Sequence, residues 1–280
     1  MSIGLIGLTA LAGLLAQQQP AARPGWPCVG RPDPSMVQVS EGSGGQVFLL
    51  DPSEMGAAAT LLLARDGHDE TLRRIVGDLE PGTRTIDVHV DSSVTRVVFS
   101  VSLQCLQAIE IVRPSGTVVS ASDAGVSWTA FQAGRQVSVP TPQPGHWTIR
   151  VAGKGLLFLV VSARASLSLD DPRLVRAGGR PGHEGVFRDD APLVAGTDRV
   201  MEIRLSPGIL EPTFELRGST DERLGQLISE PQPGGDQDRS YLAAFRVPAV
   251  PFRVMVTGRD AAGNTVQRVQ GSLFQLSQPR

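Results

Sequence analysis

The sequence predicts a mainly β protein: two tandem β-sandwich, Ig-like domains behind a short N-terminal strand-turn-strand-helix lead-in. Three observations carry this. From about Glu70 onward apolar residues recur at every second position, the period of a half-buried strand. Turn signals built on Gly, Pro, Asn and Asp recur at spacings typical of all-β domains. A loop rich in Asp, Gly, Pro and Arg, "DDPRLVRAGGRPGHEG", cuts the alternating region in two. A chain of 280 residues has room for two domains of roughly 100 residues, each able to bury its own core.

Taken in order, residues 3–16, "IGLIGLTALAGLLA", are an apolar run of signal-peptide length, too short to span a bilayer comfortably. A signal peptide over 1–16 with cleavage after Ala16 is expected, although no Lys or Arg precedes the run and Leu14 stands where a small residue is usual. A buried core helix is the alternative; it would be apolar on every side and repeatedly interrupted by Gly. Residues 17–35, rich in Gln, Pro, Gly and Arg, are expected to be a flexible linker. Residues 36–69 form the lead-in: "MVQVS" and "QVFLL" flank a Gly-rich turn, then Asp51, Pro52 and Glu54 make a capping-box start for a helix reaching about Arg65. Its apolar face, Met55, Ala58, Leu62 and Leu63, needs a partner surface.

The first sandwich, 70–168, is read from Ile86/Val88/Val90, Val97/Phe99/Val101, Ile109/Ile111 and Trp147/Ile149/Val151, each set on one strand face. "RPSGT" and "PQPG" supply turns, and "LLFLVVSA" (156–163) reads as a strand buried on both faces. Residues 169–190 are a linker. The second, Ig-like sandwich, 191–280, is read from Met201/Ile203/Leu205, Thr213–Arg217, Tyr241–Val247 and Phe252/Val254/Val256, with "GRDAAGNTVQR" as a late hairpin. No short internal repeat suggests a propeller or solenoid.

A net charge of −2 with scattered basic residues leaves no electrostatic footprint for nucleic acid. Lys154 is the one lysine, a preference for Arg that codon bias explains. Two cysteines, Cys28 and Cys105, fit an exported protein. They either form a disulfide tying the N-terminal tail to the first sandwich or remain two buried thiols.

The ordered series "SGGQVF", an apolar helix, "VDSSVTRVVFSVS", "IEIVRPSG", "PQPGHWTIRVAGKG" and "PFRVMVTGRDAAGNTVQRV" resembles the segment that follows the von Willebrand A domain in hemicentin-like extracellular proteins, over residues 36–275. The resemblance implies an extracellular matrix or adhesion setting and no catalysis. It makes "SGGQVF" and the helix after it the end of a von Willebrand A domain whose remainder is missing here. That domain's metal-ion adhesion motif, Asp-x-Ser-x-Ser, is matched only by Asp51 and Ser53, with Met55 where the second Ser belongs. Helix capping explains Asp51 without a metal.

Signatures of chemistry are absent or partial. Ser43 lacks the first Gly of a nucleophile elbow, and His68, His89, His146 and His183 stand apart in sequence. Asp170, Asp171, Asp189 and Asp190 pair up in loops but match no calcium loop, and Asp260 reads as a turn residue. Trp26, Trp128 and Trp147 are the aromatic platforms available for sugar stacking; Trp147 is expected in the core, leaving Trp128 as the possible ligand contact. No catalytic residue, cofactor or metal is expected. The function expected is a secreted, periplasmic or cell-surface structural or adhesive module that binds an extracellular protein or glycan through loops, notably 120–135 and 217–238. A glycan-binding or accessory module of a separate exported enzyme is the alternative; an enzyme, or a remnant that spaces other proteins, ranks behind.

Overall fold

The computed structural model describes residues 28–63, 69–180, 182, 185–232 and 239–277. The expected signal peptide, residues 17–27, Trp26, His68 and His183 lie outside them. The described chain is mainly β, in two antiparallel sheets with short helices in front.

The lead-in departs from expectation at both of its expected strands, for "QVFLL" (46–50) joins no sheet. "MVQVS" lies in a helix, α1 (Pro34–Ser43), not a strand. Five residues are too few to separate a period of two from 3.6, and the ends decide. Asp33 accepts the Ser35 amide at 2.8 Å, Pro34 opens the first turn, and Gly44 closes the helix at φ 71°. Gly44 is required twice over, because a Cβ there would also sit 2.9 Å from the Gly271 carbonyl carbon. The capping box forms as read: Asp51 accepts the Ser53 amide at 2.9 Å and Glu54 accepts the Asp51 amide at 3.0 Å. It opens a 3-10 turn, Pro52–Ala57, that runs into α2 (Ala58–Leu63). Leu61 is the buried anchor, whereas Met55 faces solvent; the side chains of Leu62 and Leu63 lie outside those described.

The first sheet has five strands, β1 (Glu70–Val90), β2 (Val94–Val112), β3 (Ser127–Phe131), β4 (Gly134–Pro140) and β5 (Gly145–Ala165), in the order β1-β5-β2-β4-β3. Strands of 19 and 21 residues are too long to lie flat. Register shifts between Leu79 and Gly82 in β1, and between Leu103 and Ala108 in β2, bend them at one level. Gly153 lets β5 follow, since a Cβ there would approach the Cys105 carbonyl to 2.4 Å. The bent halves face each other as the two layers of a sandwich. Val97, Phe99, Leu157 and Leu159 from one layer meet Val88, Ile111, Trp147 and Ile149 from the other in one core. The Phe99 and Trp147 rings, 5.5 Å apart, mark the contact.

"LLFLVVSA" is buried on both faces because Leu156 and Phe158 turn outward, away from this core. They meet Val29, Leu49 and Leu61 of the lead-in. The tail is therefore docked rather than flexible over 28–35: Cys28 is bonded to Cys105, the Val29 amide donates to the Gln104 carbonyl at 3.0 Å, and Arg31 pairs with Asp78 at 2.9 Å.

The second sheet contains β6 (Arg173–Gly178), β7 (Gly185–Arg188), β8 (Asp198–Leu205), β9 (Leu210–Arg217), β10 (Arg223–Pro231), β11 (Arg239–Arg246), β12 (Arg253–Arg259) and β13 (Thr265–Val269). Their order is β13-β12-β9-β10-β11-β8-β6-β7. Strands β6 and β7 fall inside the stretch expected as a linker, where β6 pairs with β8 through Leu174 and Met201. Gly and Pro hid that pairing. The first part of β10 pairs with β9 and the last with β11, so the strand passes between the two layers. Phe214 and Tyr241, 5.2 Å apart, and Phe245 and Phe252, 5.6 Å apart, span the core.

Candidate binding surface

The expected contact loop, 120–135, is partly strand, since residues 127–131 form β3 and β4 opens at Gly134; the loop between β2 and β3 is held in shape by its own side chains. Arg113 Nη2 donates to Asp123 Oδ2 at 2.5 Å, and the same oxygen accepts the Ser120 amide at 2.9 Å. The Ser120 amide first, then the Arg113 guanidinium, hold the Asp123 carboxyl below the usual carboxylate range. Arg113 Nη1 also reaches the Val118 carbonyl at 3.3 Å. The loop so fixed turns outward Ser115, Thr117, Ser120, Ser122 and the apolar Val118. Ser115 with Thr117, and Ser120 with Ser122, share hydroxyl hydrogen bonds of 2.9 Å. Such a rim can donate to and accept from a polar ligand.

Trp128 lies just beyond it on β3, the edge strand, opposite Val137. It is half-buried, with its ring packed on the first core beside Val126. It is thus no free platform, but its outer edge borders the loop. Trp147 is fully buried, and its Nε1 donates to the Gln143 carbonyl at 2.9 Å.

The other expected contact segment serves the protein itself. Over 218–222 it docks on β1: the Val76 amide donates to the Ser219 carbonyl at 2.8 Å, Arg84 to the Thr220 carbonyl at 2.8 Å, and Asp221 pairs with Arg73. Gly77 makes room, because a Cβ would lie 2.4 Å from Thr220 Cγ2. Residues 233–238 lie outside the described chain.

The acidic pairs spread apart. Asp190 pairs with Arg188 at 2.7 Å, Asp189 faces Arg199 at 4.0 Å and accepts the Ala191 amide at 3.1 Å, and the Asp170 amide donates to the Arg204 carbonyl. Among the described residues no three His, Cys, Asp or Glu side chains are placed to share a metal ion. Asp260 does more than shape its turn. Besides Ala262 and Asn264 it accepts both the amide and the hydroxyl of Ser92, at 2.9 and 2.7 Å, joining the second sandwich to the first. Burial raises its carboxyl, but the hydrogen bonds from Ser92 and Asn264 outweigh that and hold it well below the usual range.

Three charged groupings escaped the sequence because their members are far apart in it. On the outer face of β1 and β5, His89 and His146 sit directly opposite with ring centroids 5.3 Å apart, and His146 Nε2 lies 3.1 Å from Asp87. Under α1, Glu41 Oε1 accepts Arg74 Nε at 2.8 Å while Oε2 accepts Arg253 Nη2 at 2.6 Å, all three side chains buried. Arg268 and Asp91, both fully buried, pair at 2.7 Å.

No described helix is long and apolar enough to cross a membrane. Residues 74–166 match the sequence model of the family described as "Hemicentin galactose-binding domain-like". No curated protein matches the chain. Among solved structures, a Bacillus licheniformis lipase, BlEst2 in its propeptide form, aligns at 12% identity with a TM-score of 0.27. That alignment covers 73% of this chain and 44% of the lipase, a likeness too slight to build on. Residues 74–166 are thus similar to a hemicentin domain, and the match does not reach the residues that resemble the end of a von Willebrand A domain.

Proposed function

We propose that the protein is a non-catalytic binding module that works outside the cytosol, secreted or held at the cell surface, and engages an extracellular protein or glycan. The observation that carries this reading is the match of the first sandwich to a galactose-binding domain-like family. Two features support it. The Cys28–Cys105 disulfide suits an oxidising compartment, consistent with an N-terminal signal peptide. The Arg113–Asp123 staple presents a rigid hydroxyl rim at a loop, where recognition is usually placed. Within this reading a glycan is the favoured partner, because the family's description names galactose. The signal peptide and the division into two sandwich domains belong to the same proposal.

The test is an array carrying glycans and extracellular matrix proteins, probed with the mature chain and with Asp123→Asn and Trp128→Ala variants whose circular dichroism matches the parent. Binding to one glycan or protein class, weakened about tenfold or more by either variant, is the expected result; a loss of one charge-assisted hydrogen bond is worth about that. An array left dark, or binding indifferent to both substitutions, overturns the proposal.

A further inference from the structure

The second sandwich carries a concavity on its surface. It lies on the outer face of β9, β12 and β13 and is lined by Glu211, Thr213, Thr257, Gly258, Arg259 and Thr265, with a volume of about 210 Å³. Farther along the same face, Arg253 and Met255 are buried against the lead-in and the first sandwich, with Arg253 on Glu41 and Gln267 donating to the Leu72 carbonyl at 2.6 Å. The concavity opens where that cover ends. Pockets for drug-sized molecules run to about 300–1,000 Å³, so this one suits a single ring.

Its chemistry is uncommitted. Thr213 and Thr257 stand opposite in register and share one hydroxyl hydrogen bond of 2.8 Å, and Thr213 Oγ1 also lies 3.4 Å from the Thr257 carbonyl, so both hydroxyls keep acceptor capacity. Thr265 and Glu211 make no side-chain hydrogen bond or ion pair among the described residues. Arg259 spends one nitrogen on the Gly263 carbonyl at 3.3 Å and keeps the rest of its fork. Glu211 also holds a left-handed backbone, φ 48°, which a non-glycine residue adopts at a cost and which often marks functional positions. One carboxylate and one guanidinium cancel in charge, so neither a free anion nor a cation is preferred. Three threonines bring both methyls and hydroxyls to the lining. That mixture mirrors a pyranose, whose ring hydrogens make an apolar face and whose hydroxyls make a polar rim.

We infer that this concavity is a second ligand site, taking one neutral sugar ring, with Glu211 and Arg259 bonding its hydroxyls and the threonine methyls packing beneath it. The inference rests on the reading of the protein as a binding module but not on the Arg113–Asp123 loop. At ordinary ligand efficiency a ring of about a dozen heavy atoms binds with a dissociation constant on the order of millimolar.

The experiment is amide NMR on the full mature chain, titrated separately with methyl galactoside, methyl glucoside and, as a zwitterion control, glycine. Saturable shifts clustered at residues 211–213, 257–259 and 265 with a glycoside are expected. Thr257→Val, which keeps volume and strand preference, and Glu211→Gln, which removes only the charge, should each weaken binding about tenfold. Shifts with glycine alone, shifts unmoved by both variants, or no shifts at these residues overturn the inference. Shifts confined to 113–128 also overturn it while supporting the loop reading; shifts here with a silent loop do the reverse.

Discussion

Replacing Glu41 by Ala removes a carboxylate shared by two buried guanidiniums, and the loss falls unequally. Arg74 keeps four other acceptors: the Ser40 carbonyl and hydroxyl and the Gly44 and Gly45 carbonyls, at 2.7 to 3.2 Å. Arg253 keeps the Gly271 carbonyl at 3.1 Å, and its Nε is buried without any partner. Burial already pushes the Arg253 guanidinium down to about 10, with Glu41 opposing. Stranding one member of a buried ion pair costs about 3–5 kcal/mol, and here most of it lands on Arg253. At about 2–4 °C per kcal/mol for a chain of this size, the melting temperature should fall by about 6–20 °C. Urea unfolding followed by tryptophan fluorescence measures the free energy, with an unchanged m-value showing that the same surface is exposed. If a stranded charge is the cause, Arg253→Met added to Glu41→Ala should restore most of the loss, because an apolar replacement removes the desolvated group itself. A loss below about 1 kcal/mol, inside the range of an exposed pair, or a double variant no better than the single one, refutes the reasoning.

Three further outcomes follow from the same coordinates. Reducing the Cys28–Cys105 bond, which spans 77 residues, should cost about 4 kcal/mol on chain-entropy grounds; a melting temperature indifferent to dithiothreitol contradicts this. Burial, then the neighbouring His146, push the His89 imidazole below its ordinary value. The unfolded chain, titrating near 6.5, takes up the proton first, so His89 lowers stability as pH falls through about 6.5 and has no effect above it. Stability measured from pH 8 to 5 should decline less steeply in His89→Gln, and equal slopes would contradict the assignment. Trp147→Phe removes ring volume from the centre of the first core and the bond to the Gln143 carbonyl, and should cost about 2–4 kcal/mol by denaturant unfolding.

Alternation made most of the sheet readable. Val88, Phe99, Trp147 and Ile149 turn inward, and Phe214 and Val254 do so in the second sandwich, because a half-buried strand has no other way to distribute apolar side chains. The Asp51 box was readable for a similar reason: its hydrogen bonds are local. What failed was information that pairing supplies. "MVQVS" mimics a strand until Asp33, Gly44 and the buried Arg74 are seen together. Strands β6 and β7 look like loop because they are short and close one end of their sheet, where β7 at the edge tolerates Gly and polar residues. The candidate surface was half legible. The polarity of 113–123 is plain in sequence, but the staple from Arg113 to Asp123 and the docking of 218–222 on β1 depend on which strands become neighbours. Glu211, Thr257 and Thr265 were invisible as a group for the same reason.

Glu41 and Arg253 are 212 residues apart, and this separation has a temporal meaning. Ribosomes add about 5–20 residues each second, so roughly 10–40 seconds pass between the making of the acid and of its second base. Throughout that interval Glu41 has Arg74 without Arg253 to pair with, and its second oxygen must stay wet. Nascent chains halted before residue 253 should therefore carry a loosely seated helix that proteases can reach, and arrival of the last strands should seal it.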